Sequence, residues 1–330
     1  MHSVPLWRQI QRENFTDWKK LTAFLELSLE QAEQILLKSA KFPLNVPKRL
    51  VEKIAKGNWE DPVLLQFLPT LKELEPSALF VLDPVADGNF RKKPKLLHKY
   101  HGRALLVCTS ACAMHCRYCF RQHFDYETSD KLFKEELEEI ANEPSLSEIL
   151  LSGGDPLSLS DIQLKSLLDA LDQIPHIKRI RFHTRFPMGI PERIDDSFLE
   201  MLASCTKQII FVIHCNHASE FDAEILHSLK KVQKLGIPVL SQSVLLKGIN
   251  DAVAVLKELC LLLIDNGIIP YYLHQLDRVQ GAAHFEVTEE RGKELMTELE
   301  ALMPGYAVPK YVREIPHQPK KTQITSGQAS

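Results

Sequence analysis

The sequence predicts an α/β protein whose centre is a partial (β/α)6 barrel, with an N-terminal helical extension and a short C-terminal segment. Two observations carry this. From about residue 103, short apolar runs alternate with segments of helical periodicity through six repeats, and such alternation implies crossover connections and a parallel sheet. Before residue 95 no such alternation exists, and the chain reads as helices punctuated by proline.

In chain order, residues 1–95 form the helical region. Residues 17–38 carry Leu21, Phe24, Leu25, Leu29, Ile35 and Leu36 at helical spacing, and Pro43 and Pro47 close that helix. Pro62, Pro69, Pro76 and Pro84 cut the rest of the region into short pieces without recognisable chemistry, so a structural cap is expected. The central region, 96–304, offers buried parallel strands at 104–107, 148–151, 179–183, 208–214, 238–243 and 268–273. Helices are expected at 132–141, 161–174, 197–204, 220–235, 253–266 and 289–302. Six units fall short of a closed eight-fold barrel, and in barrels of this kind chemistry collects at the C-terminal strand ends. Residues 305–330 form the C-terminal segment.

Composition excludes several classes. A 330-residue chain with 45% apolar residues can build a full core. A net charge of −3 argues against a dedicated nucleic-acid binder. No uninterrupted apolar run approaches the roughly 20 residues of a membrane span. The seven cysteines are an odd number and no apolar signal segment opens the chain, so reduced thiols and a cytoplasmic location are expected.

Cys112, Cys116 and Cys119 stand in Cys-Ala-Met-His-Cys-Arg-Tyr-Cys, directly after the first barrel strand. Closed zinc sites and fully ligated cubane clusters take four protein ligands, so three thiolates leave one metal position open. A four-cysteine zinc knuckle would need Cys108, but Ala104, Leu106 and Cys108 share one strand face, which suits a small buried thiol. The spacing, with Tyr118 before the last cysteine, resembles the radical S-adenosylmethionine superfamily. There the open iron of a [4Fe-4S] cluster is chelated by S-adenosylmethionine, and an electron from the cluster releases a 5′-deoxyadenosyl radical.

More of the chain resembles one family in particular. Ser152–Pro156, Thr184-Arg-Phe-Pro187, His214-Cys-Asn-His217, the run from Ser241 to Asp251, Pro270-Tyr-Tyr-Leu-His-Gln-Leu-Asp277 and Gly305-Tyr-Ala-Val-Pro309 are similar to lysine 2,3-aminomutases, from about residue 95 to 321. The likeness is greatest to the short bacterial branch that makes β-lysine for modifying elongation factor P. It implies a radical-SAM partial barrel, and a C-terminal segment that binds pyridoxal 5′-phosphate beside the cluster and S-adenosylmethionine. It implies free L-lysine as substrate and an external electron donor, with no nucleic-acid or membrane partner; a homo-oligomer stays open.

Carried over by residue, the resemblance implies that Cys112, Cys116 and Cys119 hold the cluster, and that Gly153, Gly154, Asp155, His214 and Gln242 line the S-adenosylmethionine site. Arg121 would take the substrate carboxylate, for which an arginine fork is suited. Asp277 and Glu314 would hold the ε-ammonium, Glu314 standing where clostridial-type enzymes have aspartate. Lys321 would condense with the cofactor aldehyde, with Lys320 the neighbour one register away. Lys99, Tyr100 and Arg103 would lie near the cofactor phosphate, although the basic stretch 91–103 also reads as a solvated connector. The cysteine-bearing extension that binds zinc in longer aminomutases has no counterpart here, so no zinc is expected. Competing readings are an aminomutase for glutamate or ornithine, a radical enzyme without pyridoxal phosphate, and an iron-sensing module. Two carboxylates would repel the side chain of glutamate.

Overall fold

The computed structural model describes residues 4–127 and 132–325, so the last five residues of the C-terminal segment and the first three of the helical region lie outside it. Ten strands form one sheet in sequence order. They are β1 (Arg91–Lys93), β2 (Leu96–Tyr100), β3 (Arg103–Thr109), β4 (Glu148–Gly153), β5 (Arg179–Thr184), β6 (Gln208–His214), β7 (Val239–Val244), β8 (Ile269–His274), β9 (Lys310–Arg313) and β10 (Thr322–Gln323). From β3 to β9 every neighbour is parallel, while β1 and β2 add a hairpin at one edge and β10 turns back on β9 at the other. The first and last strands do not pair, so the barrel is open.

All six expected strands are β3 to β8, and the expected helices correspond to α6 (Lys134–Asn142), α7 (Asp161–Asp172), α9 (Asp196–Ser204), α10 (Ala223–Lys234), α11 (Val253–Asp265) and α12 (Glu289–Leu302). A single turn, α8 (Phe186–Gly189), follows β5. The strand faces explain the crossovers. Ile149 and Leu151, Ile180 and Phe182, and Ile209, Phe211 and Ile213 are fully buried. The opposite face carries half-buried Ser152, Arg181, His183, His214, Gln242, Tyr272 and His274. A period of two thus gives the barrel an apolar outside beneath the helices and a polar inside.

The N-terminal region is helical, with α1 (Leu6–Gln11), α2 (Trp18–Phe24), α3 (Leu29–Ile35), α4 (Lys48–Val51) and α5 (Pro62–Leu65). The single helix expected at 17–38 is two. Glu26 takes a left-handed φ of 55° after α2, and Ser28 caps α3 by accepting from the Gln31 amide at 3.3 Å. Trp7, Leu21, Leu50 and Phe67 share one apolar cluster with Phe182, Phe186 and Phe211, so this region and the barrel have a common core. The indole of Trp7 meets Phe186 edge-on at 5.5 Å.

Candidate active site

The loop leaving β3 carries Cys112, Cys116 and Cys119 as free, half-buried thiols. The N-terminal region braces that loop. Asn14 Nδ2 donates to the Ala113 carbonyl at 2.7 Å, and the His115 amide donates to the Asn45 carbonyl at 2.9 Å. Arg117, only 1% exposed, donates from Nε to Glu73 at 2.8 Å and from Nη1 to the Phe42 carbonyl at 2.7 Å. Among the described residues no three His, Cys, Asp or Glu side chains converge as one metal ion would need. A cluster asks for something different, because each thiolate takes its own iron. Burial, with Asp155 and the other two thiols nearby, pushes Cys112 well above the usual thiol range, and burial raises Cys119 to about 11. Positive charge favours ionisation of Cys112 and Cys119, and iron supplies it. The residues fit the cluster. Cys108 lies inside β3, donating to the Leu106 carbonyl at 3.5 Å.

The turn after β4 rests directly on this loop. The Gly154 amide donates to the Thr109 carbonyl at 2.6 Å, and the Asp155 amide to the Ala111 carbonyl at 2.8 Å. Gly153 has φ +110°, and a Cβ on Gly154 would lie 2.8 Å from the Ser110 carbonyl carbon and collide with Ala111. Only glycine serves at both positions, and the missing side chains let this turn seat directly on the backbone of the cysteine loop. The Asp155 carboxylate is occupied: it accepts from Thr184 Oγ1 at 2.8 Å and from the amides of Leu157, Arg185 and Phe186, tying β4 to β5.

Tyr118 joins the loop to β6. Its hydroxyl contacts His214 Nε2 at 2.9 Å and accepts from Asn216 Nδ2 at 2.6 Å, and its ring stacks on His214. Burial, with Arg185 and His274 nearby, holds His214 well below the usual imidazole range, so the ring is neutral. Gln242 on β7 stands opposite His214. Arg185 donates to Cys116 Sγ at 2.8 Å, to Gln66 Oε1 at 2.6 Å and to Glu220 Oε2 at 2.8 Å.

A second group forms at the open side of the barrel, where charges alternate. Arg121 Nε donates to Asp87 Oδ2 at 2.9 Å, and Lys99 Nζ lies 3.3 Å from both Asp87 Oδ1 and Glu314 Oε1. Lys321 Nζ donates to Glu314 Oε2 at 2.9 Å, and the Tyr100 hydroxyl donates to Glu314 Oε1. Arg103 lies 4.6 Å over the Tyr100 ring. Lys320 is exposed, so it is Lys321 that reaches the cluster of charges. Glu314 is held below its usual range, chiefly by Lys321 against the opposing effect of burial. Asp277 lines a cavity of about 200 Å³ with Glu314, and burial raises its carboxyl to about 6. His183 Nε2 is buried without a partner among the described residues, on the polar inner face. An amine beside a carboxylate, flanking cations and an orphaned buried nitrogen fit pyridoxal phosphate.

Several site residues carried no sequence signal of their own. Arg185 and Asn216 lie in motifs whose roles were read from their neighbours. Asp87 follows an unremarkable turn, and Gln66 lies in the region read as a cap. Of the two readings of 91–103, a solvated connector is not what the structure has: strands β1 and β2 lie there, which is how Lys99 and Tyr100 gain fixed positions.

Residues 106–259 match the model of the Radical SAM superfamily. The chain is 43% identical to the L-lysine 2,3-aminomutase of Escherichia coli (strain K12), covering 90% of this chain and 89% of that one. It is 40% identical to the L-lysine 2,3-aminomutase of Haemophilus influenzae, covering 96% and 94%, and 31% identical to that of Clostridium subterminale, covering 96% and 77%. With the cysteine loop, the glycine turn and the half-buried lysine at the open side, these likenesses leave one assignment: the chain belongs to the L-lysine 2,3-aminomutase family of radical SAM enzymes.

Proposed function

We propose that this protein is a lysine 2,3-aminomutase that converts free L-lysine to β-lysine. The observation that carries the reading is the charge alternation Arg121–Asp87–Lys99–Glu314–Lys321, which ends at half-buried Lys321, with Asp277 nearby. It offers an arginine for a carboxylate, carboxylates for an ammonium and an amine between them. Its cofactors are a [4Fe-4S] cluster, S-adenosylmethionine and pyridoxal 5′-phosphate, and it needs an external electron donor.

When bound, the cluster and S-adenosylmethionine supply a carbon radical that takes hydrogen from the substrate β-carbon, and pyridoxal phosphate supplies the π-system across which the amino group moves. The protein's part is to hold and orient. Cys112, Cys116 and Cys119 would bind three irons, while Gly153 and Gly154 let the turn after β4, which would line the S-adenosylmethionine site, seat against the cysteine loop. Neutral His214, with Gln242 beside it, presents polar atoms without adding charge. Arg103, Lys99 and Tyr100 would meet the cofactor phosphate, and Lys321 its aldehyde. Glu314 Oε2 stabilises the Lys321 ammonium whenever that amine is free. The substrate would then span Arg121 and Asp277, and fixing both ends supplies the orientation that such a rearrangement needs.

Residues 1–95 would brace the cluster loop, 96–304 form the barrel and 305–330 bring the lysine. The likeness to the short bacterial branch supports delivery of β-lysine to elongation factor P modification, and an oxygen-sensitive cluster suits the cytoplasm. No described helix is long and apolar enough to cross a membrane. The test is anaerobic: protein reconstituted with iron, sulfide and both cofactors is reduced and given L-lysine, L-ornithine or L-glutamate. β-Lysine from lysine is the expected product; turnover of glutamate in preference would overturn the substrate assignment.

A further inference from the structure

Asp87 lies outside every motif in the chain, yet it is one of the most enclosed carboxylates in the protein, 4% exposed. It opens a short 3-10 turn, Asp87–Phe90, next to β1. Asp83 fixes that turn, accepting from the Asp87 amide at 3.0 Å and the Gly88 amide at 3.1 Å. The side chain then divides its oxygens. Oδ2 accepts from Arg121 Nε at 2.9 Å, and Oδ1 faces Lys99 Nζ at 3.3 Å. Lys99 is itself anchored, donating to the Val85 carbonyl at 2.7 Å and facing Glu314 at 3.3 Å.

We infer that Asp87 is a positioning residue for Arg121: by engaging Nε it holds the guanidinium so that its two terminal nitrogens form the fork for the substrate carboxylate. This rests on the reading of Arg121 given above. An arginine has several rotamers and five donors, and a fork recognises a carboxylate only when its plane is fixed. Elsewhere the guanidinium has weaker restraints. Nη1 lies 3.4 Å from Ser152 Oγ, and the Phe120 and Phe124 rings lie 4.6 and 5.8 Å from its centre. Asp87 also counters part of the positive charge that draws substrate, so two effects compete. Orientation outweighs the charge effect because Arg121 is 7% exposed, and a buried guanidinium stripped of its acid must find another partner or turn toward water.

The experiment uses holoenzyme with full iron and bound pyridoxal phosphate. Lysine binding is read from the absorbance change of the bound cofactor, and kcat from β-lysine formation. Asp87→Asn should raise the half-saturating lysine concentration on the order of 30-fold, equivalent to about 2 kcal/mol, with kcat reduced far less. Arg121→Gln should weaken binding by itself, and adding Asp87→Asn to it should cost less than about threefold more, as for two residues acting through one contact. If Asp87→Asn tightens lysine, leaves it unchanged while Arg121→Gln weakens it, or weakens it equally in both backgrounds, the inference falls and the reading of Arg121 stands. If Arg121→Gln binds lysine like the parent, both fall. Should Asp87→Asn lose iron, Asp87→Glu carries the comparison: binding within about threefold of the parent is expected, and binding as weak as that of Asp87→Asn overturns the proposal.

Discussion

Replacing Asp277 with asparagine keeps the side chain's shape and removes its charge. Burial raises this carboxyl from its ordinary value of 3.8 to about 6, with Lys321 acting in the opposite direction. That shift of about two units corresponds to about 3 kcal/mol, the cost of keeping the carboxylate ionised in its cavity at neutral pH. An arriving ammonium offsets that cost, and removing one partner of such a desolvated pair costs about 3–5 kcal/mol. Asp277→Asn should therefore raise the lysine KM on the order of 100-fold or more, with iron content and the spectrum of the bound cofactor intact. The parent's kcat/KM should fall about tenfold per pH unit below about pH 6, as Asp277 becomes neutral. The variant should lack that limb. His183, His214 and His274 titrate well below the usual imidazole range and do not produce it. Stability carries the opposite sign. Because the folded-state value is the higher one, the penalty grows as pH rises from 3.8 to about 6 and is complete above. The variant should thus be more stable than the parent at pH 8, by at most about 3 kcal/mol, and the gain should shrink as pH falls toward 4. The assays are lysine kinetics against pH and thermal melts at each pH. A variant that handles lysine like the parent, or that retains the acid limb, would refute the reasoning.

Cys112→Ala, Cys116→Ala or Cys119→Ala should each abolish 5′-deoxyadenosine formation, whereas Cys108→Ala should leave most of it; iron and sulfide analysis checks the basis. Borohydride reduction should fix pyridoxal phosphate to Lys321, and peptide mapping that finds it on Lys320 or Lys310 would move the site. Gly154→Ala should displace the cysteine loop, because its Cβ would stand 2.8 Å from the Ser110 carbonyl carbon; the purified protein should hold less iron. Trp7→Ala, outside the residues proposed to touch cofactor or substrate, should cost about 3–5 kcal/mol of stability and leave the lysine KM unchanged, read by denaturant melts and kinetics.

The barrel was legible because its strands are apolar runs with buried neighbours, and β3 to β8 all fall where those runs lie. The flanking strands were not. β1 and β2 bear Lys92, Lys93, His98 and Lys99, a basic stretch in which Leu96 and Leu97 are the buried apolar residues, too few for a period to register. β9 is four residues of mixed polarity, too short for a period to register. The helix at 17–38 was read as continuous because its apolar spacing runs through Glu26, whose left-handed backbone leaves no mark in that pattern. In the site, the cysteines carry their own chemistry in their spacing. Arg121, Asp277 and Lys321 needed the resemblance. Asp87 and Arg185 act through contacts 34 and 69 residues away along the chain, which no local pattern encodes.

The two free edges of the sheet do not meet through backbone hydrogen bonds, yet Lys99 and Tyr100 from β2 both reach Glu314 just beyond β9. The gap in the wall is therefore laced by the same side chains that are proposed to handle cofactor and substrate. Occupancy and closure become one equilibrium. Whatever engages Lys99, Tyr100 and Glu314 together adds contacts to both sides of the gap at once, and fraying at either edge costs binding on both sides. The flanking hairpins then act as a clasp whose amide-exchange protection should rise with pyridoxal phosphate and rise again with lysine, while the six central strands stay unchanged.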